Sequence, residues 1–113
     1  INLRQDPQFG AALVLGSGGV LVELLADTVT LLLPTRPVEI IRALKSLRVG
    51  PLLEGFRGGQ AVDITKVAEE IYKLCITFQE HMKTIVEIEI NPLFVYREKV
   101  SAIDALVQVP ADK

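Results

Sequence analysis

The sequence has a single cysteine, a single histidine, little excess of either charge and no unbroken apolar stretch long enough to cross a membrane. Each shortage excludes something. One cysteine, Cys75, rules out an internal disulfide and suits a reducing compartment, so a cytoplasmic location is expected. Cys75 falls on the apolar face of a predicted helix, where a buried, inert thiol is expected. The lone histidine, His81, has no Cys, Asp or Glu partner at metal-ligand spacing on its helix face. It is expected on the surface or at the helix C-terminus, where a cation complements the dipole. Lysine and arginine number 12 against 14 aspartates and glutamates, mixed along the chain, for a net charge of -2. That balance argues against a nucleic-acid partner or an anionic membrane surface. The longest apolar stretch, Ala11 to Pro34, is interrupted by Gly16–Gly19, Glu23 and Asp27, so no membrane span is expected. No basic-then-apolar start suggests a signal peptide. The chain begins with Ile1 rather than Met and is expected to be cut from a longer protein.

What is present is a chain of 113 residues, 50% hydrophobic and 23% charged. A packed core is expected and disorder is not. The length fits one domain or a piece of one, burying about 60–70% of its unfolded surface. Residues 1–113 are read as a single domain.

Asn2 to Gly10 is polar and reads as a loop or an entering extended segment. Ala11–Leu15 reads as a buried strand, and Gly16-Ser17-Gly18-Gly19 as a turn or ligand loop. Val20–Leu33, rich in Val, Leu and Thr and stopped by Pro34, reads as a strand bent near Asp27, with helix left open by its leucines. Pro37–Leu47 places Ile40, Ile41, Leu44 and Leu47 on one helical face, and Gly50-Pro51 is expected to end it. Leu52 to Val62, with Gly55, Gly58 and Gly59, reads as loop. Asp63 is a plausible N-cap for a long helix that carries Ile64, Val67, Ala68, Ile71, Leu74, Cys75, Phe78 and Met82 at spacings of three and four. Thr84–Val95 and Lys99–Val107 close the chain as strands. Strands and helices segregate, so the expected class is α+β, a mostly antiparallel sheet with two helices on one face.

The run Glu87-Ile88-Glu89-Ile90-Asn91-Pro92 is the most informative. Strand side chains alternate, so Glu87, Glu89 and Asn91 share one face, spaced roughly 6.6–7 Å apart. If Tyr96 pairs with Lys99, Asn91 falls opposite Asp104, with Cβ atoms about 4.5–5.5 Å apart. With Glu89 beside them, these groups offer the hard oxygen ligands that Mg²⁺ takes, its shell being completed by phosphate and water. The competing interpretation is the wet face of an ordinary antiparallel strand. A slip of one residue would put Asp104 on the wrong face. Gly16, Gly18 and Gly19 could cradle phosphate through backbone N–H groups, or form a plain hairpin turn. No Lys-Ser/Thr follows, so this is not a Walker A loop, and no dinucleotide fingerprint is present. Arg57 could meet a phosphate or another domain, or brace its own loop.

Together these segments resemble a known family. Glu89-Ile90-Asn91-Pro92-Leu93 is similar to the metal-binding strand of the succinyl-CoA synthetase β chain. The wider sequence resembles the ATP-grasp domain of ADP-forming acetyl-CoA and acyl-CoA synthetases. Asp6-Pro7-Gln8-Phe9-Gly10 matches the family's Asp-Pro-x-Phe-Gly. Gly16-Ser17-Gly18-Gly19 with Val22-Glu23 matches Gly-x-Gly-Gly and Val-Glu. Asp27, Pro34 and Asp63 recur in place. Leu52-Leu53-Glu54-Gly55-Phe56-Arg57-Gly58 matches Leu-Leu-x-Gly-aromatic-Arg-Gly, Glu87 to Pro92 matches Glu-Leu-Asp-Ile-Asn-Pro, and Ala102-Ile103-Asp104-Ala105 matches Ala-x-Asp-Ala. The likeness covers nearly the whole chain.

The resemblance implies the second, C-terminal half of an ATP-grasp fold, inactive when isolated. Asn91 and Asp104 match the two Mg²⁺ ligands, with Glu89 supporting them. The glycines Gly16, Gly18 and Gly19, with Glu23, border the nucleotide cleft. The implied cofactors are ATP and Mg²⁺. The implied partners are the other ATP-grasp half, the CoA-binding domains, CoA and a carboxylic acid, with homo-oligomerisation open. The implied reaction is acyl-CoA formation with release of ADP, through a phosphohistidine on another domain. His81 lacks the Gly-His motif of that residue. Two departures stand out. Leu31 and Leu106 occupy positions where many relatives have Arg, and Glu89 stands where many have Asp. They leave a second interpretation open, a non-catalytic regulatory or interaction module of the kind fused to acetyltransferases.

Overall fold

The computed structural model describes residues 1–17, 27–53, 62–97 and 99–111. The elements are β1 (Asn2–Asp6), β2 (Gly10–Gly16), β3 (Thr28–Leu32), α1 (Pro37–Ser46), α2 (Gly50–Leu53), α3 (Ile64–Glu80), β4 (Glu87–Ile90), β5 (Leu93–Val95), β6 (Val100–Ala102) and β7 (Ala105–Gln108). Five strands form one sheet in the order β3-β2-β1-β4-β7, antiparallel throughout. β5 and β6 form a separate antiparallel pair. The class is α+β, as expected.

The loop alternative for the polar start of the chain is corrected and the extended one holds: Asn2–Asp6 is the central strand of the sheet. Only Leu3 announces it, fully buried opposite Leu13 and Ile88. Gln5 shares that inward parity, yet its amide donates to the carbonyls of Met82 and Ile85 at 2.7 and 2.9 Å. A satisfied amide can sit where the pattern asks for an aliphatic residue. The β1–β2 turn is fixed by Asp6, whose carboxylate accepts the N–H groups of Gln8 and Phe9 at 2.8 and 2.9 Å. Gly10 closes it at φ 83°, a left-handed conformation that glycine adopts without steric cost.

α1 starts with a proline in its first turn and buries Ile40, Ala43 and Leu44, with Leu47 buried just beyond its end. The second correction follows. Gly50-Pro51 does not end helical structure but opens the short α2. Gly50 is needed there, because a Cβ would lie 2.6 Å from the Lys45 carbonyl oxygen. Residues 54–61 of the expected glycine-rich loop, Arg57 among them, lie outside the described residues, as do residues 20–26 of the expected strand at Val20–Leu33. α3 matches its periodicity: Asp63 caps it by accepting the Lys66 N–H at 3.2 Å, and Val67, Ala68, Ile71, Cys75 and Phe78 are buried. His81 stands at its C-cap, with Nδ1 2.8 Å from the Thr77 carbonyl oxygen.

The core lies between the helices and one face of the sheet. Leu3, Leu13, Leu15, Ile88 and Ile90 from the strands meet Ile40, Leu44, Val67, Ile71, Cys75 and Phe78. Burial pushes the Cys75 thiol up to about 11, as suits an inert core residue. The opposite face of the sheet carries no helix-packed residue at Arg4, Thr30, Glu87, Glu89 or Leu106.

The closing strands are also corrected. The expected strand Thr84–Val95 begins only at Glu87, because Thr84 and Ile85 donate to the His81 carbonyl and complete the turn after α3. It is then interrupted at Asn91-Pro92, a cis peptide, so that β4 stays in the main sheet while β5 leaves it. The following strand divides in step, into β6 and β7.

Candidate metal and nucleotide site

The interruption in β4 leaves the pairing register intact. β5 and β6 pair Leu93 with Ala102 and Val95 with Val100, and Tyr96 N–H donates to the Lys99 carbonyl at 2.8 Å. β4 and β7 pair Ile90 with Ala105, Glu89 with Leu106 and Glu87 with Gln108. Between these two ladders Asn91 N–H donates to the Asp104 carbonyl at 3.1 Å. The two residues are therefore opposite one another where the sheet ends and the β5–β6 arm begins. This is the register expected from a Tyr96–Lys99 closure.

Ile88 and Ile90 point into the core, which turns Glu87 and Glu89 to the open face. Asn91 and Asp104 are exposed, and Glu89 is half-buried. Glu89, Asn91, Asp104 and Leu106 line one open cavity of about 230 Å³. A smaller one of about 110 Å³ adjoins it, lined by Ile1, Asn2, Val14, Gly16, Thr28, Glu89 and Asn91. Gly16, at the end of β2, thus reaches the same face as Glu89 and Asn91. Gly18, Gly19 and Glu23 lie outside the described residues.

Asn2 was not anticipated. It pairs directly with Glu89, and its Oδ1 is buried with no hydrogen-bond partner among the described residues. Once β1 is recognised as a strand, parity alone puts Asn2 and Arg4 on the open face with Glu89 and Glu87.

The donor set is two carboxylates and an amide, all hard oxygens. Among the described residues no group of three or more His, Cys, Asp or Glu comes together, so a thiolate or imidazole site is not formed there. One or two carboxylates with an open side is the arrangement Mg²⁺ uses when phosphate and water complete its shell. The residues fit that ion.

Of the two leucines at expected arginine positions, only Leu106 belongs here. Leu31 pairs with Leu13 and packs against the core, while Leu106 is 64% exposed beside Glu89.

A larger cavity of about 580 Å³ opens at the same end of the sheet. Gly16 and Ser17 border it on one side, Asn91 and the β5 residues Phe94 and Val95 on another, and Leu47 and Val49 on a third. Asp27 stands behind this wall. It is 8% exposed and is the sole buried carboxylate among the described residues. It accepts the Ser17 hydroxyl and the Arg48 N–H, the latter at 3.0 and 3.1 Å to its two oxygens. The Ser17 hydroxyl, then the Arg48 N–H, hold its carboxyl below the ordinary carboxylate value, against the opposing effect of burial.

Residues 1–109 match the family described as ATP-grasp domain. The chain belongs to the ATP-grasp domain family. It is 34% identical over 105 residues to the β subunit of an ADP-forming acetate–CoA ligase from Pyrococcus furiosus, spanning 93% of this chain and 45% of that subunit. It is 38% identical over 102 residues to an ADP-forming acetate–CoA ligase from Methanocaldococcus jannaschii, spanning 88% of this chain and 14% of that protein. The fold superposes with a TM-score of 0.88 and 31% identity on an acetyl-CoA synthetase from Ca. Korarchaeum cryptofilum, covering 97% of this chain and 51% of that one. That enzyme was solved with coenzyme A and Mg-AMPPCP, its phosphohistidine segment pointing towards the nucleotide-binding site. The ATP-grasp chain described here thus spans about half the length of the β subunit and of the Korarchaeum chain.

Proposed function

We propose that this chain is the second half of an ATP-grasp domain and forms the Mg-nucleotide side of the active site of an ADP-forming acyl-CoA synthetase. The observation that carries this is the Asn91–Asp104 opposition, with Glu89 on the same open face of the sheet. Asn91 and Asp104 would hold Mg²⁺, and Glu89 would orient them or a water on the metal. When bound, Mg²⁺ offsets charge developing on the transferred phosphoryl group. Gly16 would border the nucleotide, with Gly18, Gly19 and Glu23 continuing that loop. The other ATP-grasp half, the CoA-binding domains and the phosphohistidine would come from the remainder of the protein. The overall conversion would join a carboxylic acid and CoA at the expense of ATP, releasing ADP and phosphate.

A second interpretation, a regulatory module that does not turn over ATP, is favoured by one observation: an exposed leucine, Leu106, lines the metal cavity where a cation would assist phosphate. One experiment separates the two. The full-length protein is incubated with Mg²⁺ and γ-labelled ATP and tested for acid-labile label. Label discharged by CoA plus a carboxylic acid establishes the synthetase. Nucleotide binding without label leaves the regulatory module, and no nucleotide binding removes both.

A further inference from the structure

We infer that Asp27 is a positioning residue for the nucleotide-side wall, holding Ser17 and Gly16 in register with the α1–α2 turn. The inference rests on the proposed nucleotide role of the Gly16 segment. Three observations carry it. First, a carboxylate buried to 8% exposure loses hydration and needs hydrogen-bond donors in its place, and Ser17 and Arg48 supply two. Second, its partners belong to separate segments. Ser17 follows β2, whereas Arg48 lies in the connection between α1 and α2, 21 residues from Asp27 in sequence. Third, both segments face one cavity: Gly16 and Ser17 border it from the sheet, and Leu47 and Val49 border it from the helices.

The bonds are directional. Asp27 sits one residue before β3, and its backbone carbonyl accepts the Ser17 N–H at 3.3 Å, extending the β2–β3 ladder past the Gly16–Thr28 pair. The carboxylate then bonds the Ser17 hydroxyl, so the residue after Gly16 is held by both backbone and side chain. Ser17 itself is exposed. A serine on the surface gains little by packing, so the function of its hydroxyl is orientation. The Arg48 N–H reaches both oxygens of the same carboxylate, including the Oδ2 that accepts the Ser17 hydroxyl, and a shift of the helical turn would be transmitted to the Gly16 segment through one group.

The test uses the full-length protein with Ser17→Ala, Ser17→Thr, Asp27→Ala and the Ser17→Ala/Asp27→Ala double variant. Two quantities are read: the KM and kcat for Mg-ATP, and hydrogen exchange at the amides of Gly16, Ser17 and Arg48. Ser17→Ala should raise KM about tenfold, the value of one hydrogen bond to a charged group, with a smaller fall in kcat. Ser17→Thr, which keeps the hydroxyl, should restore it. The double variant should be no worse than Asp27→Ala alone, because both changes break one bond. Asp27→Ala should lower protection at Ser17 and Arg48 together. An unchanged KM in Ser17→Ala, failure of Ser17→Thr to rescue, or multiplying effects in the double variant would overturn the inference. If Asp27→Ala does not fold, the Ser17 pair still decides. If the unsubstituted protein does not use ATP, the proposed function falls, and unaltered exchange at Ser17 in Asp27→Ala would separately sink the positioning role.

Discussion

The two faces of β4 differ in everything except backbone geometry. Ile88 and Ile90 are buried against the helices, and Glu87 and Glu89 face outward with Asn91 continuing the row. The inner face is specified by apolar burial, worth about 1.5–3 kcal/mol for each large aliphatic side chain. The outer face gains little stability from its residues, since two carboxylates on one side of a strand repel each other. A polar row that adds nothing to the fold, placed by a strand that the fold holds rigidly, is what a binding site requires.

Neighbouring residues should therefore respond in opposite ways. The largest effect on stability is expected from Ile88→Ala. It removes a buried group packed between Leu3 and Val107 on the inner parity and should cost about 2–5 kcal/mol. Total stability for such a chain is only about 5–15 kcal/mol, so the denaturant midpoint should fall markedly. Glu89→Ala, one residue on, should move stability by no more than about 0.5 kcal/mol. Comparable losses from the two changes would erase the contrast between the faces.

Function should invert that ranking. Asp104→Ala is expected to weaken Mg²⁺-dependent nucleotide use by about 10–100-fold, within the range seen when groups around a metal are lost. Its unfolding transition should stay in place, because Asp104 is exposed. A Mg²⁺ titration of nucleotide binding in the full-length protein measures this, and an unaltered titration would remove Asp104 from the site. Glu89→Gln should have a smaller effect, a few-fold in the same titration, because the amide preserves an oxygen acceptor while losing the charge. If Glu89→Gln proves more damaging than Asp104→Ala, Glu89 is the direct ligand and Asp104 the supporting group.

The pairing of Asn91 with Asp104 was more legible in the sequence than the sheet that carries it. Period-two alternation and a single turn centre determine which residues oppose each other, so Asn91 and Asp104 could be paired without knowing their neighbours. The interruption at Pro92 does not disturb that arithmetic, because the partner strand divides at the same place. β1 was concealed because its apolar signal is one leucine, and its inward polar residue, Gln5, is satisfied by carbonyls far away in sequence. α2 was concealed because Gly50-Pro51 is a break signal, and only the 2.6 Å approach to the Lys45 carbonyl reveals why glycine belongs there. Asp27 was visible as a charge within an apolar stretch. Its partner Arg48 N–H was not, since a backbone donor has no signature in the sequence.

The last and smallest expected effect extends the comparison to carboxylates outside β4. Asp6 is held below its ordinary value of 3.8 by the Gln8 and Phe9 N–H groups. Asp27 is held below 3.8 by the Ser17 hydroxyl and the Arg48 N–H, and Glu39 below 4.5 by the Thr35 hydroxyl and Arg36. Each folded value is lower than the unfolded one, so between the two the unfolded chain binds more protons and stability rises with pH. The contribution is complete above the ordinary carboxylate range and is lost as pH falls through the lowered folded values. Asp27→Asn keeps an acceptor oxygen but cannot titrate. Its stability deficit relative to the unsubstituted chain should be constant near neutrality and should narrow as pH falls below the ordinary aspartate range and through the lowered value of folded Asp27. Denaturant midpoints of both proteins from about pH 7 to about pH 3 measure the gap. A gap of unchanged size across that range would mean that the ionised form of Asp27 contributes nothing to holding Ser17 and Arg48, and that packing alone fixes the wall beside Gly16.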